Sequence, residues 1–212
     1  MGNYIGTVAS GFITSGTSAH GIQIADSSSY NMIGGHTAAE RNLISGGNRG
    51  IMISGAHSHN NSIAGNYIGV ANDGLSELGN SNAGVLLSDN TYSNSITNNI
   101  IADNSYDEAG IWLDNAHNTI IQSNYIGTDS TQTETLGNGD PATFSAGIMI
   151  LNGSAGNIIG GMISSEGNVI ANNVFGISMY SDAGTGNSIL SNLIYDHTEM
   201  GIDLSADYTP DA

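Results

Sequence analysis

The sequence predicts an all-β protein, a parallel β-helix of about seven coils with three short strands in each coil. Three short phrases recur in fixed order along the chain, a form of self-similarity that is typical of solenoids. Each phrase is too short for a helix, is rich in β-branched residues and is bounded by Gly, Asn, Ser or Asp. We therefore expect one β-helix domain over residues 1–212. Because the repeat is already under way at Asn3, we interpret the chain as a fragment of a longer repeat protein.

The three phrases predict the three strands of each coil. The first phrase, Gly-Ile-x-Ile in form, begins at Gly21, Gly50, Gly84, Gly110, Gly147, Gly176 and Gly201. The second phrase, Asn-x-Ile, begins at Asn31, Asn61, Asn94, Asn118, Asn157 and Asn187. The third phrase, again like Asn-x-Ile, begins at Asn3, Asn42, Asn66, Asn99, Asn124, Asn168 and Asn192. No helical period competes with this pattern, so a helical solenoid is not predicted.

The residue types within a phrase predict which side chains are buried. Side chains alternate between the two faces of a strand, so the Asn and the Ile of each Asn-x-Ile phrase share one face. We expect the isoleucines of successive coils to form one buried column, because no coil can bury its apolar face alone. We expect the asparagines to stack at the corners, where each side-chain amide meets the asparagines one coil above and below.

Alternate coils are predicted to carry a long loop after the third strand. These loops are residues 7–20, 70–83 and 128–146, and two further insertions begin at Ile33 and Ile159. Because the three long loops leave the same corner of the coil, we expect them on one side of the rod.

The composition excludes several kinds of partner. The chain has 2 basic residues against 19 acidic residues, for a formal net charge of −17. This charge should repel nucleic-acid backbones and anionic membrane surfaces. No apolar run approaches the length of a membrane span, so membrane insertion is not predicted. There is no cysteine, so disulfide and thiol chemistry are absent.

The wording of the phrases resembles a known repeat family. NMIGG, RNLISGGNRGIMI and NNSIAGNYIGV, together with the late GIDLSADYTPDA, are similar to the right-handed parallel β-helix repeat family of secreted or cell-surface bacterial and archaeal proteins. The resemblance covers essentially the whole chain and implies a right-handed solenoid with an extracellular or cell-surface location. Pectate lyases, alginate epimerases and phage tailspikes are more distantly similar in fold. Most members with this repeat have no known activity, so the resemblance implies no particular reaction.

Candidate catalytic residues are few. Lyases of this fold use an Arg or Lys base beside an acidic sugar, and Arg41 in the first insertion is the nearest candidate. Near the C-terminus, Tyr195, His197 and Asp203 approach the Tyr-Asp-His signature of alginate epimerases, but in a different order and without its proline. The outward positions of the Gly-Ile phrases hold one acid among seven, too few for a glycosidase pair. We therefore predict no catalytic site and keep these four residues as alternatives.

Calcium is the metal that the sequence allows, although no cofactor is required. The long loops carry oxygen ligands at Asp73, Glu77, Asp129 and Asp140. The glycine-rich nonapeptide of calcium-binding β-rolls is missing, so these carboxylates are only candidates. His57, His59 and His117 lie near one predicted corner and are an alternative set of ligands for a transition metal. Solvated turn histidines are the competing interpretation.

The outward positions of the third phrase are apolar or aromatic in every coil. They are Tyr4, Leu43, Tyr67, Ile100, Tyr125, Val169 and Leu193, and the first phrase adds Met52, Leu86, Trp112 and Met149. The second phrase instead places Ser62, Ser95, Thr119 and Ser188 outward. Strands that are apolar on both faces are normally covered on both. The cover is either the protein's own long loops or a second chain or domain; sugars stacking on Trp112 and the tyrosines are a third interpretation.

Together, these observations favour a structural or adhesive module of an extracellular surface protein or filament. Its activity would be self-association or the binding of other surface-protein domains. The alternative is a polysaccharide-binding protein, or a polysaccharide-modifying enzyme of the lyase or epimerase type. The residues leave open whether the protein is an enzyme and favour the view that it is not.

Overall fold

The computed structural model of the protein describes residues 2–16, 18–105 and 108–206, with the backbone alone described at 205 and 206. Residues 207–212, the end of the phrase GIDLSADYTPDA, lie outside these ranges. The structure confirms a parallel β-helix of seven coils. Its strands form three sheets in which all pairings between named strands are parallel and join equivalent strands of successive coils.

The three sheets correspond to the three phrases of the sequence. Sheet 1, from the third phrase, contains β1 (Tyr4–Ile5), β4 (Leu43–Ile44), β7 (Tyr67–Ile68), β10 (Ile100–Ile101), β13 (Tyr125–Ile126), β16 (Val169–Ala171) and β19 (Leu193–Tyr195). Sheet 2, from the Gly-Ile phrase, contains β2 (Ile22–Ile24), β5 (Ile51–Ser54), β8 (Val85–Tyr92), β11 (Ile111–His117), β14 (Ala146–Leu151), β17 (Phe175–Tyr180) and β20 (Ile202–Ala206). Sheet 3, from the second phrase, contains β3 (Met32–Gly34), β6 (Ser62–Ala64), β9 (Ser95–Thr97), β12 (Ile120–Gln122), β15 (Ile158–Gly160) and β18 (Ser188–Leu190).

The core is a stack of isoleucines held in register by strand pairing. In sheet 1, seven isoleucines pair directly from coil to coil: Ile5, Ile44, Ile68, Ile101, Ile126, Ile170 and Ile194. The middle five of these have no solvent exposure. Burying each isoleucine side chain is worth about 1.5–3 kcal/mol, and every coil receives this stabilisation only because its neighbours are present.

A column of asparagines runs the full length of the rod at the start of sheet 1. We call it the first asparagine column; it contains Asn3, Asn42, Asn66, Asn99, Asn124, Asn168 and Asn192. In each step the side-chain N–H donates to the side-chain oxygen one coil further on, over 2.8–3.1 Å. The backbone N–H of the same residue donates to that oxygen too, as at Asn66 and Asn99. The predicted polar corner is therefore confirmed in all seven coils.

The second predicted column, at the start of sheet 3, is interrupted, and the expectation for Asn118 is wrong. Strand register places Ile120 opposite Ser95 and Ile121 opposite Ile96, so Ile121 enters the core. The column position belongs to Thr119, whose backbone N–H donates to Asn157 Oδ1 over 2.9 Å. Asn118 adopts a left-handed backbone with φ of 50° and is exposed. This turn displaces the strand by one residue, which exchanges inward and outward positions.

A third asparagine column was not predicted. Asn80, Asn104, Asn138 and Asn173 lie just before sheet 2 in consecutive coils, and their side chains hydrogen-bond over 2.8–3.0 Å. All four side chains are buried. Each donates as well to a core-strand carbonyl, as Asn138 does to Ile101.

Helical structure in the described ranges amounts to one 3-10 turn at Ser164–Glu166 within the second insertion. No helix in this part of the chain has the length and apolar character needed to cross a membrane.

Candidate functional site

Both arginines make defined contacts within the protein. Arg49 forms an ion pair with Glu108 two coils away, with Nε donating to Oε2 over 2.8 Å and the terminal nitrogen donating to Oε1. Glu108 also accepts the backbone N–H of Ala83 over 2.9 Å, so this carboxylate joins three coils. Arg41 lies with Cζ 4.1 Å from the centre of the Tyr67 ring, and its Nε donates to the Gly65 carbonyl over 3.3 Å.

His197 lies at the end of the third asparagine column. In the preceding coil, the side chain of Asn173 packs against Gly147, where an added Cβ would lie 2.8 Å from Asn173 Nδ2. His197 takes the equivalent place against Gly176, where an added Cβ would lie 2.7 Å from its Nε2. His197 is therefore the last-coil member of the third asparagine column. Its ring nitrogens are buried beside the backbone of Asn173 and Ile170. Burial lowers the pKa of His197 from its ordinary value because it penalises the charged form.

The other two C-terminal candidates lie in separate environments. Burial, assisted by the negative charges of Asp196 and Asp129, raises the pKa of Tyr195. Asp203 pairs with Ser178 in sheet 2 and is buried. Neither arrangement resembles an acid–base pair around an open cleft, and Asp203 is not among the groups that perturb Tyr195 or His197.

We expect the substitution His197→Asn to stabilise the protein. The new side-chain oxygen would accept the N–H groups of Asn173, completing the third column at its last coil. One added buried hydrogen bond is worth about 1 kcal/mol, which corresponds to a rise in Tm of about 2–4 °C. The difference should widen as pH falls below 6.5, because the wild-type histidine resists protonation in the folded state and loses stability there. Thermal unfolding of His197→Asn beside His197→Leu measures this; a lower Tm for the asparagine variant would contradict it.

Three of the four carboxylates predicted as calcium ligands, Asp73, Asp129 and Asp140, accept hydrogen bonds from their own loops. Asp73 accepts the N–H groups of Leu75 and Ser76 and the Ser76 hydroxyl over 2.7–2.9 Å. Asp140 similarly accepts the N–H of Ala142. Among the residues that the structure describes, no three side chains of His, Cys, Asp or Glu come close enough to share a metal ion.

Asp129 shows most clearly what these carboxylates do. It accepts the backbone N–H groups of Thr131, Thr133 and Glu134 over 2.6–2.8 Å, and also the Thr131 hydroxyl. These hydrogen bonds outweigh desolvation and lower the pKa of Asp129 to about 2. The charge therefore fixes the shape of the third long loop, and the lone pairs that a cation would need are already engaged.

Asp103 is a perturbed carboxylate that the sequence did not single out. It lies where the second long loop returns to the rod and accepts the N–H of Gly79 over 2.7 Å. Burial, with a smaller contribution from the nearby charge of Glu77, raises the pKa of Asp103 to about 6. A raised acid pKa means that the folded state holds the proton more tightly than the unfolded state does.

We expect Asp103 to reduce stability as pH rises from its ordinary pKa of 3.8 to about 6. The variant Asp103→Asn keeps an acceptor for Gly79 but cannot ionise, so it should exceed the wild type in Tm above about pH 6 and converge with it toward pH 3.8. Tm measured against pH for both proteins tests this. Glu77→Gln is the matched control, and carbon NMR of the Asp103 carboxyl should then show a lower pKa. A pH-independent gap between Asp103→Asn and wild type would refute the assignment.

The histidines expected near one corner are separated by aromatic rings. His59 stacks on Tyr92 with ring centres 4.7 Å apart, and Tyr30 meets His59 edge to face at 5.4 Å. Tyr92 pairs in turn with His117 of the next coil. Because Tyr92 stands between them, His59 and His117 cannot ligate one metal ion, and His57 is exposed in the preceding turn.

The long loops cover most of the outward ladder of sheet 1. A Cβ on Gly11, in the first loop, would lie 2.8 Å from Leu43 and 3.3 Å from Tyr4; one on Gly74, in the second loop, would lie 2.7 Å from Tyr67. Leu136 of the third loop packs in one cluster with Val70, Ile100, Ala102, Tyr67 and Tyr125. Cover by the protein's own loops, one of the three interpretations of this ladder, therefore applies.

This cover changes which of the predicted contact residues are accessible. Leu43, Ile100, Leu86 and Met149 are buried and do not belong to an exposed surface. Those of intermediate exposure are Tyr4, Tyr67, Tyr125, Val169, Met52 and Trp112, whereas Leu193 in the last coil is 51% exposed. The indole N–H of Trp112 is buried without a hydrogen-bond partner among the described residues.

Sheet 3 also carries exposed apolar side chains on its outward side. Its outward residues form two rows, which together we call the sheet-3 face: Met32, Ser62, Ser95, Ile120, Ile158 and Ser188 in one row, and Gly34, Ala64, Thr97, Gln122, Gly160 and Leu190 in the other. Met32, Ile120, Ile158 and Leu190 are 37–57% exposed. The sequence interpretation missed Ile120 because Thr119 was assigned to this row. None of these twelve residues is charged.

Comparison with known proteins returned no match: no family model, no curated protein and no solved structure matches this chain.

Proposed function

We propose that the protein is a structural or adhesive module of an extracellular surface protein or filament, that it belongs with the β-helix repeat proteins its phrases resemble, and that it self-associates through the sheet-3 face. The single observation that carries the proposal is that no residue of these two rows is charged, while the carboxylates of Glu40 and Glu166 lie in the insertions at the edge of the face. The chain has 19 acidic residues, so two copies would repel across most pairs of surfaces. When the sheet-3 faces of two copies meet, the two rows bring no carboxylates together.

The apolar content of the face supplies a driving force for this contact. Ile120 and Ile158 pair directly in successive coils, and Met162 in the adjacent insertion is 92% exposed. Six strands at about 4.8 Å spacing and three residues in length give a flat surface of roughly 24 by 10 Å. A surface of this size is small beside ordinary stable interfaces, so we expect weak, concentration-dependent association.

The environment of the candidate catalytic residues supports a non-enzymatic role. Arg49 is paired with Glu108, Arg41 is stacked on Tyr67, and His197 lies buried at the end of the third asparagine column. A lyase or epimerase would need such groups to converge on bound substrate.

Size-exclusion chromatography with light scattering at several protein concentrations tests the self-association. The mass-average size should rise with concentration in the wild type and stay monomeric in Ile120→Asp and Ile158→Asp. Gln23→Asp is the matched control, because it adds the same charge at an exposed outward position of sheet 2. A wild type that remains monomeric throughout would overturn self-association.

Product released from alginate, pectin or a related polymer, with or without Ca²⁺, would overturn the non-enzymatic role in favour of the polysaccharide alternative.

A further inference from the structure

A pocket of about 250 Å³ lies where the first insertion meets the corner between sheets 3 and 1. Its walls include Gly35, His36 and Thr37 from the insertion, Arg41 at the insertion's end, and Asn98 from the next coils. Arg41, at this corner, has no carboxylate partner among the described residues, whereas Arg49 is paired with Glu108. The position of the pocket is separate from the uncharged centre of the sheet-3 face.

Arg41 is held rigidly in this pocket while its terminal nitrogens remain available. The Tyr67 ring supports one face of the guanidinium, and Nε donates to the Gly65 carbonyl. Within the described residues, the two terminal nitrogens have no protein acceptor. A guanidinium fixed in this way presents two parallel N–H donors at the spacing of a carboxylate, with little side-chain entropy left to lose.

Two further groups can complete an anion site beside Arg41. Asn98 is exposed, holds a left-handed backbone with φ of 56°, and its side-chain amide has no partner among the described residues. His36 also lines the pocket and is exposed. The neighbouring carboxylate of Glu40 is engaged by Thr37, which donates both its N–H and its hydroxyl over 3.0 and 2.9 Å.

The charge of the chain limits the kind of anion that this pocket can take. At a net charge of −17, multiply charged polymers such as nucleic acids are repelled at long range. At physiological salt, that repulsion is screened beyond about 8 Å, so a contact interaction with a single negative charge survives. A planar carboxylate fits the paired guanidinium donors and carries only one charge.

We propose that this pocket binds a carboxylate group, with Arg41 as its bidentate donor and with Asn98 and His36 as flanking donors. The pocket borders the sheet-3 face, but its test follows the Arg41 signal rather than the oligomeric state. A single bidentate contact at the surface is weak, so we expect a dissociation constant no tighter than on the order of 1 mM.

NMR of the arginine side chains tests this directly, because the chain has only two arginines. Arg49, already paired with Glu108, is an internal control. Titration with sodium acetate and with sodium glucuronate should move the Arg41 Nε–Hε signal saturably and leave the Arg49 signal in place. Sodium chloride at equal ionic strength and glucose are the blanks. Equal affinity for acetate and glucuronate would show that the pocket recognises the carboxylate alone. Tighter binding of glucuronate would show that it recognises an acidic sugar. Either result supports the site.

The variant Arg41→Lys separates binding from folding. Its backbone amide spectrum should retain the wild-type pattern, while its affinity, followed at the Asn98 amide, should fall about tenfold because an ammonium cannot pair bidentately. An Arg41 signal that does not saturate, equal shifts at Arg49, or unchanged affinity in Arg41→Lys would each overturn the proposal.

Discussion

Replacing Asn99 with leucine should destabilise the protein more than any single loss of a core methyl group. Asn99 Oδ1 accepts the backbone and side-chain N–H groups of Asn66, and its side chain donates to Asn124 and to the carbonyls of Ile63 and Thr97. Leucine keeps the approximate volume but removes all five of these hydrogen bonds, and it leaves the buried backbone N–H of Asn66 without its acceptor. At about 1 kcal/mol for each lost bond, and more for the unpaired N–H, we expect a total of about 4–6 kcal/mol. That is a large fraction of the 5–15 kcal/mol typical of whole domains.

Guanidinium chloride unfolding, followed by circular dichroism, measures the effect of Asn99→Leu. Asn118→Gly is the matched control, because Asn118 is an exposed asparagine at a coil corner with a left-handed backbone that glycine also accepts. We expect it to stay within about 0.5 kcal/mol of the wild type. If the two variants unfolded at similar denaturant concentrations, the first asparagine column would not be a principal source of stability.

Replacing Gly69 with alanine should produce the second large loss. Gly69 has φ of 85°, and an added Cβ would lie 2.0 Å from the Ala102 carbonyl oxygen and 2.6 Å from Asn104 Oδ1. The carbonyl is part of the backbone of the next coil, so it cannot move aside without opening a strand pairing. We expect the free energy of unfolding to fall by more than about 4 kcal/mol, a loss that single substitutions cause only exceptionally, for example through severe steric conflict.

Gly153→Ala separates this close approach from backbone strain. Gly153 has a similar φ of 79°, but an added Cβ would have no neighbour within 4 Å. Its substitution should therefore cost only the left-handed strain of about 1–2 kcal/mol. Equal losses in the two variants, measured by the same denaturant titration, would show that conformational strain alone accounts for the glycine at position 69.

Features that depend only on the residues within one coil could be predicted from the sequence. Alternation within three-residue strands identifies the inward Ile and the corner Asn, and the same types recur at each turn of the rod. The prediction failed at Asn118 because two isoleucines follow it, and the choice between Ile120 and Ile121 depends on one left-handed residue. Local residue types alone could not decide that register.

The third column and the coverage of sheet 1 depend on relations between coils. The spacing from its asparagine to the next Gly-Ile phrase varies, from three residues between Asn173 and Gly176 to nine between Asn138 and Gly147. That variation conceals the repeat, although the strand pairing restores it in space. Whether Tyr67 faces a loop or a partner similarly depends on how Gly74 turns the loop back. The only available signal was the shared Gly at positions 11 and 74, seven residues after Tyr4 and Tyr67.

The asparagine columns and strand pairings align nearly all inter-coil hydrogen bonds with the long axis of the rod. Under mechanical tension between its two ends, such bonds are loaded one layer at a time, as in peeling. A pulling force therefore meets only the three short strands and the few amides of one layer before that layer yields. We therefore expect the rod to unwind from an end, one layer after another, when it is pulled along its axis.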